Sequence, residues 1–588
     1  MSKTLHLYAS GSDFSEVGGT TGLLCEFAAD SPSLKNADPC YAPEELLGSA
    51  DGALALSYPL VSAVLRTTPV IDGLPLLFLF EESLLEEFSH IVQAFHLDDW
   101  IANHGFSSVR FVSHSPWLDR LLQVRTVAGS SYALAAAVTP LQTSRRVRAI
   151  RKFWDSRPKL PEAVRRILPV WSRHLSASRM RKVARDSPRG GIWFYSTAYN
   201  CTRVGLQYEP YLPHKLNFLV EDPTTGGRRL RELGRESYWV YAWSQNSDIP
   251  SSTEVRSIGN RITAAFAGAA LTNEQSALRT VLLQSEWWHY FLTRRLAFAI
   301  YNNRVMQRWR QSVKPEMLVV GNAGWERALL LNHDANPIPA VLLQHGVMHW
   351  TYAVTDEPVD IFLLRGRFFQ RVVNDRLRRK TVVQNVPEAP PSSTQPSSSV
   401  RDSILFITAP YNVPEFFHLQ DLRDILRSLL RVSHRMRRPL VMRVHPTETI
   451  DSYRQLVGEL ERDLGFNSEV SYSQGSGAEE VLARASVAVL FFSTMFLDCL
   501  RHGIPIVSFG WHWFPNKGRF LEESLFNFAS TLSHLEALVA EGVEGRLPRR
   551  REGLEEFLAA SHPEEIAKLF QEIWNNRTSV SGAMNAAQ

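Results

Sequence analysis

Between residues 403 and 509 the chain alternates short apolar runs with stretches of helical period. The runs are almost uninterrupted by polar residues, which is typical of strands buried on both faces of a parallel sheet. Helices between successive strands provide the crossovers that parallel pairing requires. The sequence therefore predicts a Rossmann-like α/β domain in this part of the chain. Its predicted strands are Ser403–Thr408, Pro439–Val444, Val470–Ser473, Val487–Phe492 and Ile504–Phe509.

A second region, upstream of the first, shows the same alternation. Residues 385–400, between the two regions, are rich in Pro and Ser, which disrupt helices and strand ladders and leave little to bury. We interpret them as a linker between two Rossmann-like domains whose strand ends face each other across a cleft. The predicted strands of the upstream domain are Gly191–Ser196, Tyr238–Trp243, Glu316–Val320, Ala340–Leu343 and Asp360–Leu364.

The length of 588 residues is too great for one hydrophobic core. Ahead of the two domains, strand-like runs at Leu5–Ala9 and Ser108–Ser113 predict an additional N-terminal α/β region. A final helix near 554–575 is expected to fold back over the first half of the chain. The predicted boundaries are 1–140 for the N-terminal α/β region, 141–190 for a basic aromatic connector, 191–384 for the N-terminal Rossmann-like domain, 385–402 for the linker, 403–576 for the C-terminal Rossmann-like domain and 577–588 for a disordered tail.

Composition limits the location of the protein. Four cysteines without a C-x-x-C pair provide neither a disulfide framework nor a cysteine-rich zinc site, and they favour a reducing cytoplasm. The N-terminus lacks the basic-then-apolar pattern of a signal peptide, and no uncharged apolar run approaches 18 residues. We expect a cytoplasmic protein that does not cross a membrane.

The net charge of +4 hides a strongly basic segment. Residues 143–189 contain 15 Lys or Arg against 3 Asp or Glu, a net of +12, with Trp154 and Trp171 among the charges. Such a stretch suits peripheral contact with the anionic inner leaflet of a membrane. A solvated connector is an equally good interpretation. Nucleic acid is a weaker one, because no nucleic-acid motif accompanies the charge.

Polar residues follow the second strand of the C-terminal domain. Arg443 and His445 stand at the strand end, and Pro446 fixes the turn after them. A histidine at this position can donate a hydrogen bond to a phosphate or protonate it as it leaves, since its pKa lies near the working pH. The alternative is a loop histidine with a local hydrogen bond.

Ser493 and Thr494 stand between an apolar strand and the following helix. Two hydroxyls and the amide groups at a helix N-terminus predict an anion site that needs no cofactor. An ordinary helix cap is the alternative, and it accounts for one hydroxyl only.

The upstream domain offers a second histidine at a strand end. His345 and Gly346 follow the strand Ala340–Leu343, and Glu326 belongs to the preceding strand-to-helix turn. A carboxylate and an imidazole that converge there would suit deprotonation of a sugar hydroxyl or stabilisation of a cationic transition state. The alternative for Glu326 is a first-turn residue that complements the helix dipole. The sequence contains no metal-binding motif and no G-x-x-x-x-G-K-[ST] phosphate loop.

These motifs, in this order, resemble the GT-B glycosyltransferase-like enzymes of bacterial surface polysaccharide synthesis. The resemblance covers roughly residues 315–575 and includes capsule Kdo transferases, bacterial sialyl- and polysialyltransferases and CDP-glycerol glycerophosphotransferases. The acidic-acidic-Gly base motif of the sialyltransferases is not found in a matching place, and Thr494 replaces a second Ser. Gln344 stands where the teichoic-acid enzymes carry Trp before His-Gly, which favours sugar transfer over glycerol phosphate transfer.

The resemblance implies a GT-B fold with an acceptor domain followed by a nucleotide-sugar donor domain. It implies catalytic roles for His345, at the acceptor or reacting carbon, and for His445, at the donor phosphate. Glu326 is a further catalytic candidate because of its expected position near His345. The residues expected to bind the donor are Arg443, Pro446, Ser493, Thr494 and Gly346. No metal and no cofactor beyond a nucleotide sugar, expected to be CMP-linked, is implied.

The predicted function is transfer of a Kdo-like or sialic-acid-like nonulosonate from a CMP donor to a glycan or lipid-linked acceptor. The partners are therefore the donor and the saccharide acceptor, with no nucleic acid. Alternatives are a CDP-glycerol-type glycerophosphotransferase, a non-catalytic GT-B-like carbohydrate-binding protein and a sugar-nucleotide 2-epimerase.

Overall fold

A computed structural model describes a large part of the chain. The described residues are 4–8, 21–23, 40–41, 46, 48, 50–72, 74–111, 116–136, 170–171, 173–175, 187–196, 205–220, 226–321, 329, 338–343, 359–364, 382–384, 401–408, 419–445, 448–475, 477–490, 493, 495–509, 527–529, 532–548 and 562–586.

The described strands are β1 (Thr4–Tyr8), β2 (Thr21–Leu23), β3 (Cys40–Tyr41), β4 (Val70–Ile71), β5 (Leu74–Pro75), β6 (Ser108–Phe111), β7 (Ala133–Ala136), β8 (Ile192–Ser196), β9 (Asn217–Val220), β10 (Ser237–Trp239), β11 (Met317–Val320), β12 (Ala340–Leu343), β13 (Ile361–Leu364), β14 (Val382–Gln384), β15 (Ser403–Ile407), β16 (Leu440–Arg443), β17 (Val470–Ser473), β18 (Ala485–Leu490), β19 (Ile506–Phe509) and β20 (Asn527–Ala529).

The described α-helices are α1 (Ala50–Thr67), α2 (Glu81–Asn103), α3 (Pro116–Ala128), α4 (Gly226–Glu232), α5 (Ser252–Ala267), α6 (Asn273–Gln284), α7 (Glu286–Tyr290), α8 (Leu296–Val313), α9 (Leu419–Met436), α10 (Ile450–Leu464), α11 (Ala478–Arg484), α12 (Met495–Arg501), α13 (Leu532–Val543) and α14 (Pro563–Ala586). Short 3₁₀ turns lie at Leu76–Phe80, Glu209–Tyr211, Val240–Trp243 and Asn246–Asp248, and a π-helical turn at Phe291–Arg295 joins α7 to α8.

The C-terminal sheet has the order β17-β16-β15-β18-β19-β20, and all its strands are parallel. Numbered from its first strand, this order is 3-2-1-4-5-6, that of a Rossmann fold. Every residue of β15 and β18 is buried, as the uninterrupted apolar runs predict. Helix α9 covers the sheet with Leu422, Ile425 and Leu429, whose spacing places them on one face. The predicted Rossmann-like domain is confirmed.

The middle sheet repeats this topology with one further strand. Its order is β10-β9-β8-β11-β12-β13-β14, again with parallel pairs throughout. Its core includes Ile566 and Phe570 of α14, and the Phe570 ring lies 5.7 Å from that of Tyr208. The predicted return of the last helix to the first Rossmann-like domain is therefore confirmed.

The N-terminal region has a sheet of its own. Its order is β3-β2-β1-β6-β7, with parallel pairs, so it has the same 3-2-1-4-5 arrangement. The predicted fold class, α/β with two Rossmann-like domains and an additional N-terminal α/β region, is confirmed.

Two local predictions differ from the structure. The run Tyr238–Trp243 is not one strand, because β10 ends at Trp239 and a buried 3₁₀ turn follows. There the hydroxyl of Tyr241 donates to Asn302 Oδ1 on α8 at 2.9 Å, so helix packing replaces strand pairing. The backbone is also helical to Ala586, within the expected disordered tail 577–588. Residues 578–582 are weak helix formers, so local propensity does not explain this extension; it continues a helix whose first half is packed.

The chain divides into two compact units, each built from three separated segments. One consists of Met1–Leu56, Phe88–Gln142 and Ala389–Leu558, and the other of Ser57–Glu87, Thr143–Glu388 and Ala559–Gln588. The first unit therefore contains the N-terminal and C-terminal sheets, and the second contains the middle sheet and α14.

Candidate functional site

The candidate site lies at the carboxyl edge of the C-terminal sheet, where the strand order reverses between β15 and β18. Ile407, the last residue of β15, is paired with Arg443 of β16 and with Leu490 of β18. Since adjacent strands lie about 4.8 Å apart, the backbones that lead to His445 and Ser493 leave the sheet about 10 Å from each other. Ligands of open α/β sheets bind at this kind of position.

His445 follows β16 by two residues, and its backbone is firmly held. Its N–H donates to Thr408 Oγ1 at 2.8 Å, and its carbonyl accepts from Glu448 N at 3.0 Å and from Gln474 Nε2 at 2.8 Å. The imidazole is partly buried, and this burial lowers the pKa of His445 below 6.5. Burial thus favours the neutral imidazole, whose two nitrogens provide one donor and one acceptor.

Glu448 holds the turn that carries His445. Its Oε2 accepts from Thr408 Oγ1 at 2.8 Å and from the Tyr453 hydroxyl at 2.9 Å. Burial first, and the charge of Glu448 second, raise the pKa of Tyr453, so this phenol stays a donor. Because Thr408 donates to the carboxylate, its oxygen accepts from the His445 amide.

Thr408, Glu448 and Tyr453 are not among the site residues predicted from the sequence. Thr408 is the last residue of a predicted strand, and this position could have marked it as a candidate site residue. The roles of Glu448 and Tyr453 depend on how the turn after β16 folds, and no local pattern predicts that.

Arg443 lies at the same edge, half-buried. Its guanidinium donates to Ser473 Oγ at 2.7 Å and to the carbonyl of Gly475, which fixes the loop after β17. Burial lowers the pKa of Arg443, while the carboxylate of Asp498 on α12 opposes that shift. An arginine remains charged in proteins at neutral pH, so Arg443 gives this edge a fixed positive charge.

Ser493 lies two residues before Met495, the first residue of α12. Its Oγ accepts from Met495 N at 3.3 Å, and its carbonyl accepts from Phe496 N at 3.1 Å. A hydroxyl that accepts a hydrogen bond retains a proton to donate. The arrangement therefore serves as a helix cap and is also compatible with donation to an anion.

Five predicted site residues lie outside the described residues: Glu326, His345, Gly346, Pro446 and Thr494. Their roles stay predictions. Within the described ranges, no group of three or more His, Cys, Asp or Glu is arranged to hold a metal ion.

Comparisons with known proteins give distant likenesses only. No protein-family model matches the chain, and no curated protein sequence matches it significantly. Among solved structures, MurG of Acinetobacter baumannii is 10% identical, with 66% of this chain and 100% of that chain covered and a TM-score of 0.38. The UDP-GlcNAc 2-epimerase of Methanocaldococcus jannaschii, in complex with UDP-GlcNAc and UDP, is 10% identical over 65% of this chain and 99% of that chain, at a TM-score of 0.40. The glycosyltransferase SnogD of Streptomyces nogalater is 13% identical over 66% of this chain and 100% of that chain, at a TM-score of 0.37.

Proposed function

We propose that this chain is a metal-independent GT-B glycosyltransferase that binds a nucleotide sugar at the carboxyl edge of the C-terminal sheet. One observation carries the proposal. A fixed cation at the end of β16, an imidazole two residues later and a hydroxyl after β18 lie on either side of β15, at the switch point of a 3-2-1-4-5-6 sheet. Positive charge and hydrogen-bond donors at such a position suit a phosphate group.

The proposed reaction breaks the bond between the sugar carbon and the phosphate oxygen of the donor. The nucleotide leaves with the bonding electrons, so negative charge grows on its phosphate. Arg443 stabilises that charge through its field, His445 donates a hydrogen bond or a proton to it, and Ser493 donates a hydrogen bond. The acceptor hydroxyl forms the new bond and loses its proton to a base, for which His345 and Glu326 are the candidates.

The finer assignment is transfer of a Kdo-like or sialic-acid-like nonulosonate from CMP to a bacterial surface glycan or lipid-linked acceptor. It is supported by the resemblance of the Gln344–Gly346, Arg443–Pro446 and Ser493–Thr494 motifs to CMP-sugar enzymes.

The proposed location is the cytoplasm, with peripheral attachment to the inner face of the membrane. No helix in the described parts of the chain is both long and apolar enough to cross a membrane.

A thermal-shift panel of CMP, CDP, UDP, GDP and their sugars tests the donor site. We expect CMP and CMP-sugars to raise Tm selectively, and the shift to disappear in S493A/T494A. The matched control is Ser533→Ala, an exposed serine of the same unit. If no nucleotide raises the Tm of the wild type, a carbohydrate-binding protein is favoured. If CDP-glycerol alone raises it, glycerol phosphate transfer is favoured.

Comparison of kcat between the wild type and a His445 variant tests whether His445 takes part in the reaction. With a matched CMP-sugar, His445→Ala is expected to lower kcat by about 100-fold or more, because general acid and electrostatic contributions are of that size. His534→Ala, an exposed histidine on α13, is the control and should leave kcat unchanged. A folded H445A enzyme of nearly normal kcat would remove His445 from the reaction.

A further inference from the structure

Two large apolar side chains lie exposed on a short helical stretch inside the basic segment. Trp171 is 45% exposed and Leu175 is 60% exposed. Residues four apart on a helix lie on the same face, so the two side chains form one apolar surface. We name this pair the Trp171–Leu175 surface.

A neighbouring face of the same stretch packs within the unit that contains the middle sheet. Val170 and His174, also four apart, are buried. His174 Nε2 lies 2.8 Å from Asn246 Oδ1, and its Nδ1 lies 3.2 Å from Ser244 Oγ. With a proton on Nε2 the ring donates to the amide oxygen of Asn246, and its Nδ1 accepts from the hydroxyl of Ser244.

Arg173 adds a second attachment. Its guanidinium carbon lies 5.1 Å from the centre of the Tyr241 ring and 4.9 Å from that of Phe298, within the range of cation–π attraction. The Trp171–Leu175 surface is therefore presented by an anchored element. The contacts of Arg173 and His174 hold the stretch in the position that exposes Trp171 and Leu175.

The charges that flank this stretch in the sequence indicate what would bind the Trp171–Leu175 surface. Arg165 and Arg166 precede it, and Arg179, Arg181 and Lys182 follow it closely in a segment of net charge +12. A Trp and a Leu flanked in the sequence by clustered Arg and Lys match the interface of an anionic membrane, where rings and leucines enter the headgroup level and cations meet phosphates. Nucleic acid would use the cations but offers no apolar layer for Leu175.

We propose that the Trp171–Leu175 surface docks onto anionic phospholipid and fixes the middle-sheet unit to a membrane surface. This inference deepens the membrane attachment that is part of the proposed function, and it does not depend on the transferase activity. It assigns two residues to the membrane contact that the charge of residues 143–189 alone leaves open.

Co-sedimentation of the full-length protein with vesicles tests the proposal. The probes are phosphatidylcholine vesicles with and without 30% phosphatidylglycerol, at low and high salt. We expect binding to the anionic vesicles, weakened by salt, and a loss of about tenfold or more in partitioning for W171S/L175S, since two apolar side chains no longer enter the lipid. The control L122S/L233S replaces two exposed leucines elsewhere and should bind like the wild type.

The outcomes separate this proposal from the proposed function. Unchanged Tm and unchanged nucleotide response in W171S/L175S, together with weaker vesicle binding, would support membrane docking. Equal binding of wild type and W171S/L175S to anionic vesicles, or equal binding to both lipid compositions, would overturn it. Binding of a DNA or RNA duplex with no binding to vesicles would also overturn it and would assign the segment to nucleic acid.

Discussion

His445 combines a lowered pKa with a position suited to a phosphate. Burial favours the neutral imidazole in the protein without nucleotide. A phosphate placed against the ring favours the protonated form through Coulomb attraction and raises its pKa. Nucleotide binding is then coupled to uptake of a proton.

This coupling predicts a pH dependence of binding. Because the pKa of His445 is higher in the complex than in the free protein, CMP affinity should rise as pH falls between these two values, by up to about tenfold per pH unit. Above the pKa of the complex the dependence should vanish. Isothermal titration calorimetry from pH 8 to pH 5.5 measures it.

His445→Gln is the matched variant, because the phosphate of CMP titrates in the same range and does so equally with both proteins. The pH dependence of the wild type should exceed that of H445Q. Identical curves for the two proteins would contradict contact between His445 and the phosphate.

At the scale of elements, the long apolar strands could be predicted from the sequence, whereas the short strands β14 and β20 could not. The run Ser403–Thr408 can only be buried, because it offers no polar face to solvent. Strands β14 and β20 have three residues each, and they form because Phe362 and Val507 present an open sheet edge to pair with. Such pairing is a tertiary effect and leaves no periodic signal.

The same distinction applies to the candidate site. Arg443, His445 and Ser493 could be assigned to one edge of the sheet from the sequence alone. Strand ends can be recognised in the sequence, and the carboxyl ends of parallel strands share one edge. The contacts of Glu448 with Thr408 and Tyr453 join residues 40 and 5 positions away in the sequence. Only the folded turn reveals them.

The packing of α13 against β18 predicts an effect of two glycine substitutions. A Cβ on Gly542 of α13 would lie 2.6 Å from Val487 Cγ2 and 2.7 Å from Val487 Cβ, too close for any side chain. Gly542→Ala should therefore lower the free energy of unfolding by about 1–3 kcal/mol, as overpacking does. Urea unfolding measures the change.

Gly458 of α10 is the matched control in the same unit, since a Cβ there would meet nothing within 4 Å. Gly458→Ala should raise the free energy of unfolding by about 0.5–1 kcal/mol, because alanine loses less backbone entropy in a helix. Equal effects of the two substitutions would show that α13 does not approach β18 closely.

At the scale of the whole molecule, α14 is distant in sequence from the sheet it covers. Ile566 and Phe570 complete the core of the middle sheet, and Gln571 Nε2 donates to the carbonyl of Tyr211 at 3.1 Å. The entire C-terminal sheet lies between these partners in the sequence. The stability of the middle-sheet unit is therefore linked to the last segment of the chain.

Removal of the Phe570 ring tests this link. Phe570 is 1% exposed, so Phe570→Ala should lower the free energy of unfolding by about 3–5 kcal/mol through lost burial and the cavity left behind. Glu572→Ala changes an exposed position on the same helix and should alter it by less than about 0.5 kcal/mol. A small effect of F570A in urea unfolding would mean that α14 adds little to this core.

Because α14 comes late in the sequence, its packing on the middle sheet also affects the order in which the nascent chain can fold on the ribosome. A nascent chain finishes the strands of the middle sheet long before the residues that seal one of its apolar faces have left the exit tunnel. During that interval Tyr208 and its neighbours lack their permanent cover, and a holding chaperone has a defined surface to shield. Slower synthesis would lengthen that exposure, so yield of soluble protein is expected to depend on the pace of translation through the C-terminal sheet.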